Sequence, residues 1–390
     1  MIDKKRIFSR LPHFIQFPLA KAYCKRKMKW AQHLKTPSSL IFFITSRCNL
    51  RCNHCFYWKE LNTKGSELSI DEISKIASSL KHPVSLALTG GEPFIREDLK
   101  EIIEAFHHGC GTREVGITTN GTLTGPIVET TRFVLESDYL SSLSVQISLD
   151  GLEKCHDNIR GAKGSFRKAI STIMKLKKLK AHYSGFQMKI ALTVQKRNLP
   201  ELKGFIEYLL PMNIPLCFNI VRGGGFGVFD LPSSVSSDFN PKDESDSFLS
   251  LNDIKTAYAL LKKMSDSSSF HFWPFRQQKI WELSIQMLEE NRSPISCYAS
   301  AMESVLYSNG DVSFCELSKP FANIKGYGYN FAGLWKSDEA DRMRKLLGKC
   351  FCIHGCNLTT GLTFEPEVVI KVLNEQRCRH THCSEDIIGH

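Results

Sequence analysis

From Leu40 to Arg222 the chain repeats one pattern: a short apolar run, a polar or glycine-rich break, then a longer amphipathic stretch. Short apolar runs rich in β-branched residues predict strands, and the longer segments of helical period between them predict crossover helices over a parallel sheet. The predicted strands are 40–44, 84–88, 115–118, 143–149, 188–194 and 216–221, with helices at 70–80, 97–107, 165–179 and 201–210. Six such units give the expected fold class, α/β, as a partial (β/α)6 TIM-type barrel over residues 40–222.

A polar motif follows every predicted strand. In order these are a cysteine loop, Thr89-Gly90-Gly91-Glu92-Pro93, Thr119-Asn120-Gly121, Asp150-Gly151, Gln195-Lys196-Arg197-Asn198 and Gly223-Gly224-Gly225. The carboxyl ends of the strands carry the active sites of α/β barrels, so these motifs are expected to meet in one pocket. Beyond it, 223–296 reads as a linker with bridging helices at 251–264 and 273–290, and cysteines become dense again in a small C-terminal auxiliary domain at 297–358. Residues 359–390 form a tail and 1–39 a basic extension.

Composition adds a compartment and a sign. The formal net charge is +11, from 51 Lys and Arg against 40 Asp and Glu, which favours anionic partners. No apolar run is long enough to span a bilayer, and the basic start leads into Leu11-Pro12-His13-Phe14, which is no export signal. The 14 cysteines are therefore read as reduced thiols of a cytoplasmic protein, where clustering points to metal or catalysis.

Cys48, Cys52 and Cys55 stand in one loop, Thr45-Ser46-Arg47-Cys48-Asn49-Leu50-Arg51-Cys52-Asn53-His54-Cys55. A structural zinc site is closed by four ligands, usually from CxxC pairs; a [4Fe-4S] cube held by three thiolates keeps one iron open. The CxxxCxxC spacing after the first strand, with Gly90-Gly91-Glu92-Pro93 after the second, resembles the radical SAM superfamily. The resemblance implies that the open iron chelates S-adenosylmethionine (SAM), and that one electron cleaves SAM to methionine and a 5′-deoxyadenosyl radical that takes a substrate hydrogen.

It also assigns residues. Gly90, Gly91 and Glu92 would present acceptors to the SAM ammonium, and His54 would stand where relatives carry an aromatic near the adenine, with a fourth-ligand role as its alternative. Arg160, in Asn158-Ile159-Arg160-Gly161, resembles the arginine that pairs with the SAM carboxylate. Asn120, Ser148, Thr193 and Asn198 are expected at the ribose or substrate, and Asp150 as a catalytic carboxylate on the substrate side; an Asp-Gly turn is the plain alternative for Asp150, and helix capping for the others.

In the C-terminal module, Ser308-Asn309-Gly310-Asp311 reads as a hairpin turn with Cys315 on the returning strand. Cys297, Gly310 and Cys315 resemble the auxiliary-cluster modules called SPASM and Twitch, which implies an auxiliary [4Fe-4S] cluster. Cys350, Cys352 and Cys356 make five candidates for four positions, with Cys350 ranked last; Cys378 and Cys383 are candidates for a further cluster, and zinc is the alternative for the module.

Residues 1–35 carry ten basic residues, from Lys4, Lys5, Arg6 and Arg10 to Lys35, against Asp3 alone, interleaved with Phe14, Leu19, Tyr23 and Trp30. Two readings fit: a helix capping the barrel, and a segment lying on an anionic membrane surface, which would make the protein peripheral to the membrane. The other partner expected is an acidic flavodoxin or ferredoxin-type electron donor; no RNA-binding module is visible, so no nucleic acid is expected. There is little room ahead of the first strand for a leader-peptide-binding domain, so a small-molecule, sugar-derived or lipid-linked substrate is preferred to a peptide. The alternatives are a peptide-modifying maturase and a non-catalytic iron-sulfur or zinc sensor.

Overall fold

The computed structural model describes residues 8, 11–137, 139–223, 228–238, 247–270, 272–348 and 350–374. Lys4, Lys5, Arg6, Arg10, Gly224, Gly225, Cys378 and Cys383 lie outside the described residues. Six strands, β1 (Ser39–Thr45), β2 (Ser85–Gly90), β3 (Glu114–Thr119), β4 (Ser142–Ser148), β5 (Phe186–Val194) and β6 (Leu216–Ile220), pair in chain order, every pair parallel. The sheet ends at β6, which leaves the barrel open. Predicted and observed strands differ only at their ends.

Parallel strands covered on both faces are usually apolar throughout. In β4, Ser142-Leu143-Ser144-Val145-Gln146-Ile147-Ser148 alternates instead: Leu143, Val145 and Ile147 are buried, while the polar residues between them are only partly so. The apolar set joins the core with Ile127, Val134, Ile173 and Leu176 of the outer helices. Gln146 and Ser148 face a cavity inside the barrel, so the polar positions of the strand mark its working face.

The C-terminal module is no separate body. Strand β8 (Glu303–Tyr307) pairs in parallel with the free edge of β1, from Ser39 opposite Glu303 to Phe43 opposite Tyr307. Strands β9 (Asp311–Ser313) and β10 (Ala322–Asn323) follow antiparallel, making nine strands in one sheet. Gly310 sits at the hairpin turn as expected, but Cys315 falls beyond β9, because the strand ends at Ser313. A second small sheet pairs β7 (Val228–Phe229) with β11 (Phe351–Cys352).

A helix at His13–Gln32 packs Ala31 against Met302 and Phe364 and sets Lys27 4.5 Å above the Phe364 ring. It therefore lies against the C-terminal module. Among the described residues no helix is long and apolar enough to cross a membrane.

Candidate active site at the carboxyl ends of the strands

Cys48, Cys52 and Cys55 line one cavity of about 450 Å³. Their loop is pinned along its length: the Gly91 amide donates to the Thr45 carbonyl (2.8 Å), Glu92 N to the Arg47 carbonyl (2.8 Å), Asn53 N to the Ile159 carbonyl (2.9 Å) and Cys48 N to Asn62 Oδ1 (3.1 Å). Burial, with mutual repulsion, pushes the Cys48 thiol up to about 11 and the Cys55 thiol up to about 12. Thiols held so high become thiolates when a cation displaces the proton.

The spacing distinguishes the candidate cations. One tetrahedral ion at ~2.3 Å from each sulfur draws its ligand atoms close together. Among the described residues only Glu316, His354 and Cys356 bring three ligand atoms within 4.8 Å of one another. Neither cysteine set is that tight, and the all-sulfur, three-member set of the β1 loop fits an iron-sulfur cube with one open iron.

Gly90 and Gly91 line the cavity. A Cβ on Gly90 would lie 2.3 Å from the Thr45 carbonyl oxygen, and one on Gly91 would lie 2.1 Å from that of Arg47. The first need for glycine here is thus the close approach of the cysteine-loop backbone. Glu92 departs from expectation. It is fully buried and does not line the cavity; its carboxylate accepts from Thr119 Oγ1 (2.7 Å), Asn120 N (2.7 Å) and Phe94 N (3.3 Å). Burial nevertheless raises it to about 7. Glu92 locks the β2 turn to the end of β3, with three acceptor positions of its carboxylate already filled.

Asp150 is corrected in the same way. It is fully buried, its Oδ2 is 2.6 Å from Arg160 Nη2, and its Oδ1 accepts from Thr193 N (2.9 Å). Burial alone would raise this carboxyl, but Arg160, His54 and His156 hold it below the ordinary carboxylate range. Arg160 is delivered by the helix Glu153–Arg160, which Gly161 ends in the left-handed conformation. Its Nη1 lies 3.6 Å from Cys52 Sγ, and its side chain lines the cavity. Asp150 therefore anchors the arginine and is not a free catalytic carboxylate. His54 lines the cavity with Nε2 3.9 Å from Asp150 Oδ2 and Nδ1 3.4 Å from Gln195 Nε2, and burial lowers it to about 4. It faces Asp150, not a fourth ligand position.

Ser148, Thr193 and Asn120 all line the cavity. Asn120 Nδ2 also donates to Asn49 Oδ1 (2.9 Å) in the cysteine loop. Asn198 does not line it: its amide is spent on the carbonyls of Asp150 (2.9 Å) and Thr193 (2.8 Å), so it braces the strand end.

In the second module the structure re-sorts the five cysteines. Cys315 raises Cys297, and both raise Cys350 and Cys352, so these three thiols and Cys315 lie near one another. Cys315 and Cys352 pack together with Ala299 and Val228, and Asn357 Nδ2 donates to Cys352 Sγ (3.3 Å). Cys356 is the outlier. It sits in the first turn of the helix Gly355–Leu362, lines the main cavity, and feels Glu316, Arg222 and Cys217 in place of the other four. Cys350, ranked last from spacing, thus lies with Cys297, Cys315 and Cys352, while Cys356 lies on the main cavity.

Three residues that sequence reading missed join the two modules. Arg222 lies 4.0 Å over the Phe56 ring, next to Cys55, and its Nη2 is 3.0 Å from Glu316 Oε2, next to Cys315. His354 Nε2 is 3.0 Å from the same oxygen, while its Nδ1 accepts from Cys356 N (3.2 Å). With Nδ1 accepting, Nε2 carries the proton and has no lone pair for a metal. The Glu316, His354 and Cys356 group is thus an ion-pair network and not a metal centre. Lys189 of β5 also lines the cavity, with no ion-pair partner among the described residues.

Comparison with known proteins agrees with this geometry. The family model described as Radical SAM superfamily matches residues 42–206. The AdoMet-dependent heme synthase of Methanosarcina barkeri is 38% identical over 177 residues, 44% of this chain and 46% of that protein. The antilisterial bacteriocin subtilosin biosynthesis protein AlbA of Bacillus subtilis is 32% identical over 43% of this chain and 35% of that protein. The match thus spans less than half the length of these curated relatives. Among solved structures, SuiB of Streptococcus suis bound to S-adenosylmethionine superposes with a TM-score of 0.55 at 16% identity, covering 80% of this chain and 68% of that one, a likeness of fold.

Proposed function

Through residues 42–206 this chain belongs to the radical SAM superfamily, and from that premise we propose that it is an enzyme that cleaves SAM reductively and turns the resulting radical on a substrate held in the same cavity. The superfamily's cofactors are a [4Fe-4S] cluster and SAM, and SPASM relatives add auxiliary clusters. When bound, the cluster supplies the electron that breaks the sulfonium bond, and the protein supplies position and exclusion of water. The observation that carries the reading is the convergence of Cys48, Cys52 and Cys55 with Gly90, Gly91, Asn120, Ser148, Arg160 and Thr193 on one cavity.

Each residue has a defined task. Cys48, Cys52 and Cys55 hold the cluster, and Arg160, kept charged by Asp150, presents its guanidinium beside Cys52 to the SAM carboxylate. The backbone of Gly90 and Gly91 meets the SAM amino group, and Ser148, Thr193 and Asn120 meet the ribose or substrate. Cys297, Cys315, Cys350 and Cys352 hold one auxiliary [4Fe-4S] cluster. A small-molecule substrate is supported by the name of the AdoMet-dependent heme synthase; a peptide is the second reading, favoured by the name of AlbA. The reductant is a flavodoxin or ferredoxin drawn by the net positive charge.

Anaerobic reconstitution with iron and sulfide, then dithionite and SAM, tests the core claim. Two clusters require about eight irons per chain, and 5′-deoxyadenosine must form and be lost in Cys52→Ala. Full clusters without SAM cleavage by any reductant would turn the reading to a non-catalytic iron-sulfur protein.

A further inference from the structure

The helix His13–Gln32 contains no acidic residue. One side, with Gln16, Ala20, Cys24 and Ala31, is buried. The open side mixes large apolar side chains with cations: Phe14 is 75% exposed, Tyr23 54%, Leu19 48%, Trp30 48% and Ile15 37%. At 100° per residue, Ile15, Leu19, Tyr23 and Trp30 fall within one stripe that also holds Arg26, and Lys21, Lys25 and Lys29 run along one flank. All four cations are exposed, and none has an acidic partner among the described residues.

A monomer seldom leaves so many large side chains of one helix in water. Cations without acidic partners beside an apolar stripe complement a surface that is negative outside and oily beneath. An acidic protein or a nucleic acid would satisfy the charges but not the apolar stripe. Tyrosine and tryptophan suit the depth of lipid headgroups, where one end of the ring is wet and the other dry.

We propose that this helix lies flat on an anionic lipid bilayer, with Ile15, Leu19, Tyr23 and Trp30 in the headgroup boundary and Lys21, Lys25, Arg26 and Lys29 against the phosphates. At 20 residues it presents about 30 Å of contact. It lies on the membrane and does not span it. Because it packs on Met302 and Phe364, docking holds the C-terminal module against the membrane.

Flotation of the reconstituted full chain with phosphatidylcholine vesicles, with and without phosphatidylglycerol, tests this. Expected are binding to the anionic vesicles alone, reversal by salt, loss in Leu19→Glu/Trp30→Glu, and a weakening of about a hundredfold in Lys21→Gln/Lys25→Gln/Lys29→Gln, at about fivefold per cation. Unchanged SAM cleavage by the variants shows that they are folded. No binding at low salt, equal binding to neutral vesicles, or binding that survives the double variant overturns the proposal. So does finding that the same face captures duplex RNA or an acidic flavodoxin in place of lipid. Should the wild-type chain bind vesicles but not cleave SAM, the functional reading falls and this one stands.

Discussion

Replacing Asp150 asks whether it reacts or only holds. Asp150 and Arg160 are 2.6 Å apart with Asp150 fully buried. At an effective dielectric of about 20 the gross attraction is about 6 kcal/mol, offset by several kcal/mol of desolvation for each ion. Removing one partner strands the other charge, so Asp150→Ala should cost about 3–5 kcal/mol. For 390 residues the unfolding entropy is about 0.8 kcal/mol per degree, so the melting temperature should fall by about 5 °C. Asp150→Asn, which keeps an acceptor for Thr193 N, should cost somewhat less. Adding Arg160→Met to Asp150→Ala should recover about 2 kcal/mol, because no unpaired charge is then buried. Thermal unfolding of the cluster-free chain, followed by circular dichroism, reads all of these. If Asp150→Asn melts within about a degree of wild type and the reconstituted variant no longer cleaves SAM, the anchoring argument is refuted and Asp150 acts on the reactants.

Three further outcomes follow from the same geometry. Cys350→Ser should lose about four irons per chain and Cys356→Ser none; the reverse pattern would restore the ranking made from spacing. Gly91→Ala drives a Cβ onto the Arg47 carbonyl oxygen and should lose the irons of the β1 loop, whereas Gly116→Ala, with nothing within 4 Å, should keep them; full iron and SAM cleavage in the first would contradict this. Glu303 is raised to about 7 by burial. Its folded form holds a proton that the unfolded chain releases near pH 4.3, so its contribution is present below that pH and lost as pH rises to about 7. Urea unfolding of the cluster-free chain at pH 5.5 and 8 should show this decline in wild type and less of it in Glu303→Gln; identical declines would refute it.

What the sequence revealed and what it hid divide along physical lines. The six strands were legible because each is a local apolar run or, in β4, a local alternation, and the cysteine loop because three ligands within eight residues need no fold to bring them together. The roles of Glu92, Asp150 and Asn198 were not legible. Whether a strand-end polar side chain turns into the cavity or back into the protein depends on partners far along the chain: Thr119 for Glu92, Arg160 for Asp150. Arg222 and Glu316, 94 positions apart, carry no local pattern. The placement of Cys356 was not legible because spacing counts residues, while Cys356, in the first turn of the helix beginning at Gly355, lines the cavity. Cys378 and Cys383 lie outside the described residues.

The parallel pairing of β8 with β1 makes the molecule hard to dissect. A fragment cut to residues 39–222 would bare one whole side of β1, five residues of backbone donors and acceptors that now face Glu303 to Tyr307. Open edges of apolar strands recruit other chains, so the excised barrel would be a precipitate before it was an enzyme. A gene encoding it could not shed its second cysteine module by simple truncation, nor exchange it for another without also supplying a strand in register with Ser39 to Phe43. The unit that selection can copy, swap or lose is therefore the barrel and its auxiliary strand together.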